Sequence, residues 1–153
     1  MTDTPWQRYY FILFFRRLAV LHNRVVHLRQ KDPDNYKNHP EAKLFASVVR
    51  SMDDAQQDPT LSKFQLGKTL GPEYTAWRRI KQGLPPRYRL FFRFSSQDRH
   101  VIFVWLNDER TLRKEGAKTD VYSVFKSMLE RNDIPSMLSD LLTQSEKISE
   151  PSH

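Results

Sequence analysis

Two short segments, residues 77–81 and 87–95, carry cations at every second position. In the first, Trp77, Arg79 and Lys81 share a face if the segment is extended. In the second, Arg87, Arg89 and Arg93 alternate with Tyr88, Leu90, Phe92 and Phe94, and Phe91 stands among the cations. Paired as neighbouring strands, they set Arg79, Lys81, Arg87 and Arg89 on one face. Cations placed side by side repel, and an anion between them relieves that. A phosphate backbone is the expected anion, with Trp77 or Phe91 to stack on a base. The competing reading is an ordinary solvated sheet face, with Trp77 and Phe91 as core or interface residues.

Other polar groups carry less. Asp53 and Asp54 read as a solvated helix end, and Asp108 and Glu109 as the closure of a loop after a strand. His22, His27, His39 and His100 form no spaced pair with each other or with a carboxylate, so no metal site is expected. No Gly-rich phosphate loop is present. The absence of cysteine excludes disulfides, zinc–thiolate sites and thiol nucleophiles, and suits a reducing, cytoplasmic setting. The 153 residues carry a net charge of +7, which favours a polyanionic partner. That charge is concentrated: residues 77–131 hold 13 Lys and Arg against 6 Asp and Glu.

These groups need elements to position them. Residues 6–11 suit a first strand. Leu18, Leu21, Val25 and Leu28 give residues 12–30 a helical period, ended by Pro33. A second helix starts near Pro40 and runs through Met52, completing a helical hairpin. The apolar run 9–15 is too short for the roughly 20 residues of a membrane span, and arginines follow it at once. Residues 58–71 read as a loop. Residues 77–81, 87–95 and 100–107 read as three strands. The last is apolar from Val101 to Leu106, as befits a central strand covered on both faces. Asp120 is placed to cap a final helix through Arg131. The expected fold is α+β: an N-terminal helical hairpin on a twisted antiparallel sheet of about four strands, with a C-terminal helix. Residues 1–135 would form the domain. Residues 136–153 would be a polar, flexible tail, apart from a short turn at 137–142.

Several blocks in order make the expectation specific. KDPDNY (31–36), AKLFASVV (42–49), YRLFFRFS (88–95), WLNDERTLR (105–113) and KTDVYSVF (118–125) closely resemble the corresponding blocks of YhaV-type toxins, of the RelE superfamily. The likeness covers residues from about 31 to 131. It implies a RelE-like fold and RNA cleavage without a metal or other cofactor. It also implies a site built on Arg79 and Lys81, Arg89 within Arg-Tyr-Arg-Leu, Arg110 or Arg113, and Tyr122. RelE itself carries two lysines at the first two positions, so Arg79 keeps the charge there but is a poor base. Arg87, Arg93, Trp77 and Lys118 are the expected RNA-binding neighbours.

The chemistry suits these residue types. Attack of a ribose 2′-OH on the adjacent phosphorus needs proton removal, stabilisation of the phosphorane and protonation of the leaving 5′-oxygen. Arg89 and Arg79 offer the planar fork that matches phosphate oxygens. Lys81 is the first candidate for proton transfer, with Glu109 and Tyr122 as alternatives. The resemblance further implies an inhibitory PrlF-like antitoxin with an AbrB-type DNA-binding domain, a hetero-oligomer that binds operator DNA, and mRNA, free or ribosome-bound, as substrate. Two other readings stand beside it: a ParE-type gyrase inhibitor on the same fold, and a non-catalytic nucleic-acid-binding regulatory subunit.

Overall fold

The computed structural model describes residues 5–148. The apolar run near the N-terminus divides at Phe11. Strand β1, Gln7–Phe11, ends there and helix α1, Ile12–Lys31, begins. Helix α2, Pro40–Gln57, starts on Pro40, whose missing N–H costs nothing in a first turn. The ring of His39 caps it by accepting from Glu41 N at 3.2 Å. Then follow β2 (Arg78–Ile80), β3 (Leu90–Ser95), β4 (His100–Leu106), α3 (Val121–Glu130), α4 (Leu138–Thr143) and β5 (Ser145–Ile148). Among the described residues, no helix is long and apolar enough to cross a membrane.

The sheet departs from the expected antiparallel one. Its five strands run β2-β3-β4-β1-β5, and β1 lies parallel to β4. The other pairs are antiparallel. Strand β4 is thus central, and Val101, Ile102, Phe103 and Val104 are fully buried, as its unbroken apolar run requires. The stretch after Pro135, expected as a polar tail, carries α4 and β5. Leu141 is fully buried, and the short strand completes the hydrogen bonding of the otherwise open edge of β1. Its Leu138, Leu141 and Leu142 meet the core at helical spacing.

Two cores flank the sheet. The hairpin covers one face through Phe14, Leu21, Leu44, Val48 and Met52, which meet Ile80, Leu90, Phe92 and Phe103. Helices α3 and α4 and residues 66–77 cover the other face. There Phe125 stacks on Phe91 at 4.0 Å between centroids with planes 8° apart, and Trp105 stacks on Phe125 at 5.8 Å. A register shift between Phe91 and Phe92 sets Trp105 opposite Phe91. Stacked rings add about 0.5–1.5 kcal/mol per pair beyond area burial. They fix α3 over the first residues of β3.

Asp54 is exposed near the end of α2, as expected, whereas Asp53 does more than face solvent. Arg8 is 2% exposed on β1, and donates to Asp53 Oδ1 at 2.7 Å and to Gln56 Oε1 at 2.6 Å. A buried guanidinium demands such acceptors. Asp54 pairs with Lys63 at 2.8 Å.

Phe125→Ala removes the ring that packs on both Phe91 and Trp105, and the expected loss of stability is about 3–5 kcal/mol. Urea unfolding measures it; a loss under about 1 kcal/mol would mean that α3 is not anchored by this stack.

Candidate active site

Strand β3 begins three residues later than the alternation suggests, and that shift builds the site. Arg87 has φ +73°, a left-handed conformation uncommon for a side-chain-bearing residue, so 87–89 leave the regular ladder. Their backbone is held instead by Asn107, fully buried at the end of β4. Its Oδ1 accepts from Arg89 N at 2.8 Å, and its Nδ2 donates to Arg87 O at 3.2 Å and Thr111 O at 2.8 Å. One amide side chain therefore ties the entry of β3 to the 108–113 loop. Asp108 closes that loop, accepting from Arg110 N and from the Thr111 hydroxyl, each at 2.9 Å. The sequence signals Asn107 only as a polar residue ending an apolar strand, and its role was not foreseen.

Within this frame Arg89, 8% exposed, reaches α3. Its Nε donates to Tyr122 Oη at 3.0 Å and its Nη1 to Tyr88 O at 2.8 Å, which leaves Nη2 without a hydrogen-bond partner among the described residues and not enclosed. Arg113 lies 5.0 Å from the centre of the Tyr122 ring. Arg87 Nε donates to Arg113 O at 3.0 Å, and Arg113 N returns a bond to Arg87 O at 2.9 Å. Thus Arg87, Arg89, Arg113 and Tyr122 converge.

One carboxylate organises them. Asp120, 3% exposed, caps α3 by accepting from Tyr122 N at 3.1 Å, and also accepts from Arg113 Nη1 at 2.8 Å and Lys114 N at 2.6 Å. Burial by itself would raise its pKa, but these donors and the Arg113 charge hold it below the ordinary carboxylate range. The same bond raises Arg113 further above its usual value. Three guanidinium groups against Asp120 and the exposed Glu115, 4.0 Å from Arg113, leave the cluster cationic.

The remaining expected residues lie apart from these contacts. Arg79 pairs with Phe91, which puts it on the α3 side of the sheet, but its Nη1 donates to Gln65 O at 2.6 Å and its buried Nε has no partner. Lys81 follows the last residue of β2, so no ladder sets it level with Arg89. It is exposed on a crevice with Asp54, Lys63, Phe64 and Gln82. Arg110 and Lys118 are exposed on loops beside the cluster. Arg93 donates to Ser136 O and covers the Trp77 ring at 5.5 Å. Burial, then the nearby Arg78 charge, lowers its pKa. Trp77 is 1% exposed and meets Phe125 edge-on at 5.0 Å, so it is a core residue with no face for a base. Phe91 is equally buried. Among the described residues no group of three or more His, Asp and Glu is placed to hold a metal ion.

A lowered carboxylate pKa makes stability pH-dependent. The Asp120 contribution is full above the unfolded carboxylate value of about 3.9 and fades as pH falls through the lower folded value. Asp120→Asn keeps a capping oxygen but loses the charge opposite Arg113. The expected loss at neutral pH is about 1–3 kcal/mol. The gap between the two proteins should narrow below about pH 4. Thermal unfolding from neutral to acid pH checks this, and a gap constant with pH would refute the assignment.

Comparison with known proteins agrees over nearly the whole chain. The sequence model of a family described as "Toxin with endonuclease activity, of toxin-antitoxin system" matches residues 9–146. The chain is 38% identical over 144 residues to "Ribonuclease toxin YhaV" of Escherichia coli K12, covering 93% of both chains. "Toxin YhaV" of E. coli O157:H7 and of the O6:H1 strain match to the same extent. No solved structure matches significantly. The match of the family over all but the chain's ends, together with these relatives, places the chain in the YhaV family of toxins with endonuclease activity, of toxin–antitoxin systems.

Proposed function

We propose that the chain is a RelE-like endoribonuclease toxin that cleaves RNA by attack of a ribose 2′-OH on the adjacent phosphorus, without a metal ion. The observation that carries this is the Arg89 Nε–Tyr122 Oη bond at 3.0 Å inside a cationic cluster. Arg89 Nη2 and the Arg87 Nη groups, whose Nε alone is spent on Arg113 O, are left to hold the non-bridging phosphate oxygens, where the phosphorane gathers charge. The Tyr122 hydroxyl already accepts from Arg89, so its own proton is available for the leaving 5′-oxygen. Arg113 keeps a second positive charge against the ring, and Asp120 fixes Arg113. Lys81 and Glu109 are the candidates for taking the 2′-OH proton once RNA spans the cluster. Arg79, Arg110, Lys118 and Arg93 extend the cationic surface along the strand of RNA. The products are a 2′,3′-cyclic phosphate and a 5′-OH, and DNA, which lacks the nucleophile, is spared.

The same reading supplies the partners. A PrlF-like antitoxin with an AbrB-type domain inhibits the chain in a hetero-oligomer that binds operator DNA, and mRNA in the cytoplasm, free or on the ribosome, is the substrate. The family's place in toxin–antitoxin systems supports an antitoxin of some kind.

Tyr122→Phe keeps the ring edge against Phe91 and removes only the hydroxyl. Its expected effect is a fall of about 10²–10⁴ in RNA cleavage, with a loss of about 1–3 kcal/mol in stability from the unpaired Arg89 Nε that leaves the protein folded. Arg89→Ala should fall at least as far, and EDTA should leave the parent rate unchanged. Parent-like cleavage by Tyr122→Phe and Arg89→Ala would remove this site from the mechanism.

A further inference from the structure

On the other side of the sheet from Arg89 and Tyr122, α1, α2 and the 83–85 turn enclose a groove of about 810 Å³. Its floor is apolar: Val25, Val26, Phe45 and Leu84, with Val26 40% exposed. A second hollow of about 310 Å³ shares His22 and Phe45 with it and continues along the hairpin to Phe15, itself 40% exposed. An apolar trough of this length on a helical hairpin is the kind of surface that an amphipathic segment covers.

Its rim is charged with one sign. Arg29, Lys37, Lys43 and Arg50 line the groove, all exposed, and none forms an ion pair or side-chain hydrogen bond among the described residues. Among the described residues no carboxylate lines either hollow. The nearby Glu41 and Asp53 are already taken by Arg24 and Arg8. Unneutralised cations around an apolar floor complement a segment with carboxylates flanking apolar anchors. RNA fits less well, because the floor between the cations is mostly aliphatic, with Val25, Val26 and Leu84, and offers a base little to stack on.

We propose that this groove is the docking site of the antitoxin, through an acidic amphipathic segment whose apolar side chains enter between α1 and α2. The proposal rests on the reading of the chain as a toxin with an antitoxin. It separates docking from inhibition: a segment held here does not touch Arg89 or Tyr122, so blocking the site falls to another part of the partner.

The test titrates the purified full chain with the antitoxin encoded beside its gene and, separately, with single-stranded RNA. The variants are Lys43→Glu/Arg50→Glu and Val26→Asp. The expected result is antitoxin affinity lower by about 100-fold in the charge-reversal variant, from like charges across the interface. Its salt dependence should also be weaker, and RNA cleavage by the free variants should stay within about twofold of the parent. Unchanged antitoxin affinity in both variants overturns the docking site and leaves the nuclease reading standing. Lost RNA affinity with intact antitoxin binding reassigns the groove to RNA, and a parent dimer that the variants dissolve reassigns it to a second copy. A parent that neither cuts RNA nor binds the antitoxin overturns both the groove and the reading beneath it.

Discussion

A guanidinium lodged between a sheet and a helix keeps its charge, so the fold must surround it with acceptors. Arg89 is in that position, and much of the α3 side of the molecule answers to it. Its backbone N–H is taken by Asn107, its Nη1 by Tyr88 O and its Nε by Tyr122. The last of these requires α3 to sit at one height above β3. The Phe91–Phe125–Trp105 stack sets that height, and the Asp120 cap sets where the helix starts. Apolar packing and polar satisfaction thus specify the same placement, which is the consistency expected of a site on rigid elements.

The cluster also shows how cations can be gathered without unfolding the protein around them. Arg113 is neutralised by Asp120, and Arg87 is engaged by a backbone carbonyl. Only part of the donor capacity is spent, and Arg89 Nη2 stays open. On the proposed reading, a phosphodiester arriving there would meet donors already oriented, which avoids reorganisation when charge develops.

How far the sequence reveals this depends on the range of the interactions involved. Local signals were legible: the break between β1 and α1, Pro40 opening α2, the Asp120 cap and the central β4. The cations of 87–95 lead to the cluster of Arg87, Arg89, Arg113 and Tyr122, because alternation is a property of the strand itself. What failed was non-local. The parallel pairing of β1 with β4 joins residues more than 90 apart, and nothing in either strand encodes direction. β5 is Ser-Glu-Lys-Ile, polar because an edge strand can be, and only the open edge of β1 gives it a partner. Trp77 sits on the face expected of it, yet α3 covers that face, so the indole packs on Phe125 and not on a base.

The left-handed Arg87 is the sharpest case. Strict alternation would have aligned Arg87, Arg89 and Arg93 as three equivalent cations. The φ of +73° ends that equivalence: Arg87 turns to the 108–113 loop, Arg89 to Tyr122 and Arg93 to Trp77. Such a conformation is retained only where the surroundings over-determine it. Here they do, since Arg87 O accepts from both Arg113 N and Asn107 Nδ2. A flat cationic strand would grip any polyanion evenly along its length. Breaking the strand at Arg87 gives the three cations different partners and leaves Arg89 alone donating to the Tyr122 hydroxyl, and on the proposed reading that distinguishes a site able to act on one phosphodiester from a surface that merely attracts many.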